Sequence, residues 1–158
     1  MISPQREMGT VNSRASAARE REVENMTFQD IIELHPQPTT VDRNALLRCI
    51  EECRECAASC TACADACLSE NDLPELVRVI RLCLDCADAC DATGCIVTRQ
   101  TASDLRLIRA IIESCAVVCL TCAEECERHA AHHEHCRLCA EACQRCRQAC
   151  DYLLSKIG

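Results

Sequence analysis

The sequence predicts an all-α protein: an antiparallel up-down-up-down four-helix bundle with a cysteine-lined core and a short N-terminal extension. Three observations carry this expectation. Helix breakers are scarce, with 3 Gly and 4 Pro in 158 residues and all 4 Pro within the first 74. The 19 cysteines fall into four successive arrays, and inside an array they recur every three or four residues, the period of one helix face. The connections between arrays are short, which makes neighbouring helices antiparallel.

Taken in order, residues 1 to about 25 mix Arg, Glu, Ser and Ala without sustained apolar periodicity and read as a flexible extension. Met26, Phe28, Ile31, Ile32 and Leu34 form a short apolar stretch of one or two helical turns, ended by Pro36 and Pro38. It is expected to pack on the outside or an end of the bundle. Met8 and Met26 read as packing or extension residues, not as ligands. The extension covers 1–41 and the bundle 42–158, with helical segments at 42–69, 73–98, 102–130 and 133–156. Asp72 ahead of Leu73-Pro74-Glu75 suits a helix start with Pro in the first turn, and Thr101-Ala102-Ser103-Asp104 resembles a capping box. Between the last two segments no Gly or Pro marks a turn. Their cysteine stripes would drift apart on one continuous helix, which places a break near Ala130 and Ala131.

The first array, Cys49, Cys53, Cys56, Cys60, Cys63 and Cys67, is a heptad seam written in cysteine. All six positions fall within about 80° of arc and face the bundle axis. Cys115, Cys119, Cys122 and Cys126 form the third stripe, and Cys136, Cys139, Cys143, Cys146 and Cys150 the fourth. The second, Cys83, Cys86 and Cys90, keeps the pattern until Cys95, which lies about 150° from the stripe centre on a regular helix. Either Gly94 distorts the helix there or Cys95 stands off the array.

With one Phe, one Tyr and no Trp, thiols take the place of the usual large core side chains. An inert core would mix apolar shapes to fill space instead of repeating one oxidisable residue, so the repetition points to metal chemistry. Intrahelical disulfides fit poorly, because side chains four residues apart have Cβ atoms about 6 Å apart where a disulfide needs about 3.8 Å. Stripes on straight helices offer no obvious closed foursomes for structural zinc, and no cysteine is followed by the Pro of common iron–sulfur runs. Cu(I) fits: it is soft, prefers thiolate and accepts two or three sulfurs, so each Cys-x-x-x-Cys is a site. Because isolated charges are expensive in a dry core, each thiolate is expected to bridge two ions, bringing the load towards one Cu(I) per cysteine.

A net charge of −8 argues against phosphate-backbone recognition. The N-terminal stretch has no apolar leader and no membrane-length run, so the expected location is the cytoplasm, where thiols stay reduced. No phosphate loop, carboxylate pair or isolated Cys–His nucleophile suggests catalysis. The rivals are an iron–sulfur electron-transfer protein, a thiol redox buffer and a general soft- or heavy-metal sink.

Residues 42–156 resemble the four-helix-bundle copper storage proteins, in the subgroup without an export signal. The Cys-x-x-x-Cys units at Cys49/Cys53, Cys56/Cys60, Cys63/Cys67, Cys86/Cys90, Cys115/Cys119, Cys122/Cys126, Cys139/Cys143 and Cys146/Cys150, with the histidine-rich stretch before Cys136, carry the resemblance. It implies a cytosolic non-enzyme that sequesters many Cu(I) ions, protects against copper toxicity and assembles as a homotetramer. The expected partners are copper ions, with a copper chaperone as candidate donor, and neither nucleic acid nor membrane.

His129, His132, His133 and His135 gather at one pole of such a bundle, beside Cys67. His129 prolongs the third stripe and His132 lies four residues before Cys136, which makes these two the candidate additional ligands at a copper mouth. The opposite pole is expected to be plugged by Leu46, Ile108, Ile112, Leu153 and Leu154. Glu51, Glu52, Arg54, Glu55, Asp85 and Asp88 read as solvated surface. The buried thiols are expected to have raised pKa values and the copper-free chain to be folded already.

Overall fold

The computed structural model describes residues 27–37, 39 and 41–157, and among them every regular element is an α-helix. The chain divides into two compact units, Met1–Pro36 and Gln37–Gly158. In the first, α1 (Phe28–Glu33) is opened by a cap in which the Thr27 backbone N–H and hydroxyl both donate to the Asp30 carboxylate, at 2.5 and 3.0 Å. Met8 and Met26 lie outside the described residues.

The second unit is the bundle. Its helices are α2 (Arg43–Leu68), α3 (Leu73–Thr98), α4 (Leu105–His129) and α5 (Glu134–Lys156). Consecutive helices pack on one another, and α5 returns to α2, so the four close into a ring around one axis. Asp42 starts α2 by accepting the Ala45 backbone N–H at 2.8 Å. Pro74 sits in the first turn of α3, where its missing N–H would have had no helical partner.

At α4 the structure departs from the expected capping box. Asp104 is the N-cap, accepting the Arg106 N–H at 2.9 Å. Ala102, three residues ahead of the helix, adopts a left-handed φ of 53°. Thr101–Ser103 are therefore turn, because a non-glycine residue at positive φ cannot be helical. The break between the last two helices falls where the drifting cysteine stripes require it, α4 ending at His129 and α5 beginning at Glu134.

Each helix turns its cysteine stripe inward and flanks it with alanines. Ala57, Ala64, Ala87, Ala116, Ala123, Ala140, Ala142 and Ala149 are all buried. Small flanking side chains let helix axes approach closely, which the short reach of a thiol requires. Among the described residues, no helix is long and apolar enough to cross a membrane.

Candidate metal site

All the cysteines except Cys95 are buried, and all are reduced. Their sulfurs form one continuous column. Near its middle, Cys56 Sγ lies 3.9 Å from Cys60, 3.9 Å from Cys86 and 3.7 Å from Cys143, while Cys60 and Cys143 are 3.5 Å apart. The column runs inward through Cys90 to Cys119 (3.5 Å), Cys115 (3.7 Å) and Cys146 (3.9 Å), and ends at the Cys49–Cys150 pair, 3.9 Å apart. Towards the other pole it continues through Cys139 to Cys60 (3.7 Å) and Cys83 (3.8 Å), and Cys83 to Cys126 (3.7 Å) and Cys122 (3.8 Å).

Two expectations change. Cys95 is exposed, because α3 runs undistorted through Gly94 to Thr98 and a regular helix carries position 95 away from the axis. The inward stripe of α3 continues instead through Thr93, Gly94 and Val97, all buried. A Cβ on Gly94 would sit 3.6 Å from that of Cys53, and the Thr93 hydroxyl donates to the Ala89 carbonyl at 2.7 Å. Closed foursomes do exist: in Cys63, Cys83, Cys126 and Cys139 all four sulfurs lie within 4.8 Å of one another, one from each helix. A stripe viewed on a single helix hides this, because the grouping arises only when four stripes meet at one level.

The thiols also titrate unequally. Burial pushes Cys67 up to about 12, and Cys49 is raised as well, by its hydrogen bond with Cys150 and then by desolvation. Cys136 moves down: hydrogen bonds from Cys126 and Cys63 outweigh burial, and His135 adds to them. A buried thiolate surrounded by S–H donors is not in an apolar solvent, which is why uniform elevation fails.

At the histidine pole the structure selects differently from the sequence. His135 Nδ1 lies 3.5 Å from both Cys63 and Cys136 and 3.9 Å from Cys67, while its Nε2 is 3.2 Å from Glu70. His132 is exposed. The i to i+4 relation that favoured it requires a helix reaching back to 132, but α5 starts at 134 with His133 as its N-cap. His133 is buried, with Nε2 3.0 Å from Asp72 and Nδ1 3.3 Å from Glu70. Burial works against its charged form, but these two carboxylates outweigh it and raise its pKa. Asp72 thereby gives up side-chain capping of α3. His129 is half-buried, 3.9 Å from Glu125. Glu125, which sequence reasoning passed over, is buried and held by Arg78 at 2.9 Å and Arg128 at 3.0 Å. The inner face of α3 begins with Leu76 and Val79, fully buried, ahead of its first thiol at Cys83.

The far pole is aliphatic: Leu46, Ile50, Val97, Ile108, Ile112, Leu153 and Ile157 are buried, and Leu154 is half-buried. Of the expected surface charges, Glu51, Arg54, Glu55 and Asp88 are exposed. Glu52 and Asp85 are half-buried and pair with Arg145 and Arg81 at 3.5 and 2.9 Å.

Comparison with known proteins bears on this column. The copper storage protein from Streptomyces lividans, Ccsp, loaded with 10 copper equivalents, superposes with a TM-score of 0.81 at 51% identity over 82% of this chain and 99% of that one. A structure of copper loading to that organism's cytosolic copper storage protein, with five coppers, gives a TM-score of 0.72 at 54% identity, covering 73% and 96%. An uncharacterized cysteine-rich protein of Bacillus subtilis (strain 168) is 35% identical over 103 residues, 65% of this chain and 89% of that protein. The family described as copper storage protein matches residues 42–155, the whole span from the N-cap of α2 to the last turn of α5, and the chain belongs to that family.

Proposed function

We propose that the protein stores and detoxifies Cu(I) in the cytoplasm, holding many ions among the thiolates inside the bundle. The observation that carries this is the sulfur column, in which every buried thiol has a sulfur neighbour within 4.0 Å and foursomes lie within 4.8 Å of one another, as bridging thiolates require. The ligands are Cys49, Cys53, Cys56, Cys60, Cys63, Cys67, Cys83, Cys86, Cys90, Cys115, Cys119, Cys122, Cys126, Cys136, Cys139, Cys143, Cys146 and Cys150, with His135 at the mouth. Copper enters at the histidine pole, because the far pole offers only aliphatic groups. The acidic side chains Glu70 and Asp72 draw in the cation and orient His135 and His133, and His135 hands the ion to Cys63 and Cys136. The bundle needs no catalytic residue for this role. Residues 42–158 are the storage domain and 1–41 an extension, the assembly is a homotetramer, and a copper chaperone is the donor. Relatives that carry copper in solved structures support the reading over an iron–sulfur carrier or a general metal sink.

The test is an anaerobic titration of the fully reduced chain with Cu(I), followed by metal analysis. The expected load is on the order of one Cu(I) per buried thiol, without the brown colour of iron–sulfur clusters. A plateau at roughly four ions or fewer would overturn the storage reading.

A further inference from the structure

The sulfur spacing in the bundle matches an ion of another kind. A tetrahedral Zn(II) tetrathiolate has Zn–S bonds of about 2.3 Å, so its sulfurs stand about 3.8 Å apart along each edge. In the foursome Cys56, Cys60, Cys86 and Cys143, five of the six edges are given by sulfur contacts of 3.9, 3.9, 3.7, 3.5 and 4.0 Å, and the sixth pair also lies within 4.8 Å. Three foursomes share no residue: this one, Cys53/Cys115/Cys146/Cys150 and Cys63/Cys83/Cys126/Cys139. From this geometry we infer that the copper-free protein binds tetrahedral divalent ions of the Zn(II) and Cd(II) class, one in each of these three preformed cages, and yields them to Cu(I).

The chemistry balances without an oxidant. Four Cys–SH groups and one M(II) give one M(S-Cys)₄ unit of charge −2 and four protons, which leave to solvent. A buried dianion is costly alone. Here each cage is bordered by a thiol that belongs to none of the three and remains protonated: Cys119 stands 3.8 Å from Cys86, Cys122 3.8 Å from Cys83, and Cys49 3.9 Å from Cys150. Their S–H groups can donate to the thiolates, as charge-assisted hydrogen bonds that offset part of the desolvation. Foursomes such as Cys56/Cys90/Cys119/Cys146 and Cys60/Cys122/Cys139/Cys143 share residues with these three and cannot be filled beside them, so the two metals count differently. A divalent ion needs a complete foursome. Cu(I) needs only two or three sulfurs and can use every thiol, so it displaces the divalent ion by engaging the same sulfurs more extensively. The inference goes beyond copper storage and rests on the sulfur geometry.

The reduced full-length protein is titrated anaerobically with Co(II), whose intense visible d–d bands report tetrahedral thiolate coordination, then with Zn(II), then with Cu(I). The expected result is about three Co(II) per chain, replaced one for one by Zn(II). Direct Zn(II) loading should release about four protons per ion, and a zinc indicator should show the metal leaving as Cu(I) is added. Cys86→Ser should lower the divalent load by about a third while lowering the Cu(I) load by about one ion among many. Cys95→Ser, changed at an exposed position, should leave both loads intact, and far-ultraviolet circular dichroism checks that each variant is helical. Fewer than one Co(II) per chain, weak octahedral bands, a Cys86→Ser variant that keeps the full divalent load, or a loss in Cys95→Ser would overturn the inference. A chain that takes Cu(I) fully but fails these measurements would leave copper storage standing and remove the cages.

Discussion

At the scale of single residues, the histidine pole separates what spacing can reveal from what requires a fold. The period of the sequence identifies which cysteines share a stripe, and 18 of the 19 do point inward; Cys95 was visibly out of phase and is exposed. The imidazoles were harder, because their roles depend on where α5 begins, and neither Gly nor Pro marks that start. A helix beginning at Glu134 puts His135 on the thiols and leaves His132 in the turn. Glu70 and Asp72 act between helices on His135 and His133, and Glu125 on Arg78, contacts that no one-dimensional period encodes; the Glu125–His129 pair, four residues apart on α4, is within reach of spacing. His135→Ala should slow Cu(I) uptake from a chelated donor about tenfold or more, by removing a positioned receiving ligand, with the final load nearly unchanged in stopped-flow and metal analysis. His132→Ala should load at the parent rate. Equal slowing in both variants would mean the mouth is a diffuse charge effect and not a placed ligand.

At the scale of helices, α3 is the unequal member. It carries thiols only at Cys83, Cys86 and Cys90 on its inner face, with Leu76 and Val79 before them and Thr93 and Val97 after. Its ends are packing surfaces, so the histidine mouth opens on the side of α2 and α5, where Cys63, Cys67, His135 and Cys136 meet. The helices are legible because their breakers are few and their seams long, whereas the turn at Thr101–Ser103 is not: a capping-box pattern also fits a left-handed turn, and only the φ of Ala102 distinguishes them. The aliphatic plug holds the far ends of the helices together. Ile112→Ala, at a fully buried position, should cost roughly 2–5 kcal/mol in denaturant unfolding of the copper-free protein. Val117→Ala, on the exposed face of the same helix, should cost well under about 1 kcal/mol. Similar losses at both sites would contradict a closed apolar pole.

At the scale of the molecule, buried Leu, Ile, Val, Ala and Cys side chains fill the axis and can form a core by themselves. The copper-free chain should therefore be as helical as the loaded one and unfold cooperatively. A far-ultraviolet spectrum that gains helix only on metal addition would refute this. Fold class followed from composition and period alone, while the close grouping of four stripes did not, because it depends on helix separation and on the alanine flanks that set it. Sulfurs only 3.5 to 4.0 Å apart have a consequence for the living cell. Ions that settle between such neighbours need not push the helices outward, so a full molecule and an empty one present the same exterior. On the proposed route of entry, a protein that met it in solution would have only the histidine pole by which to sense how much it carries.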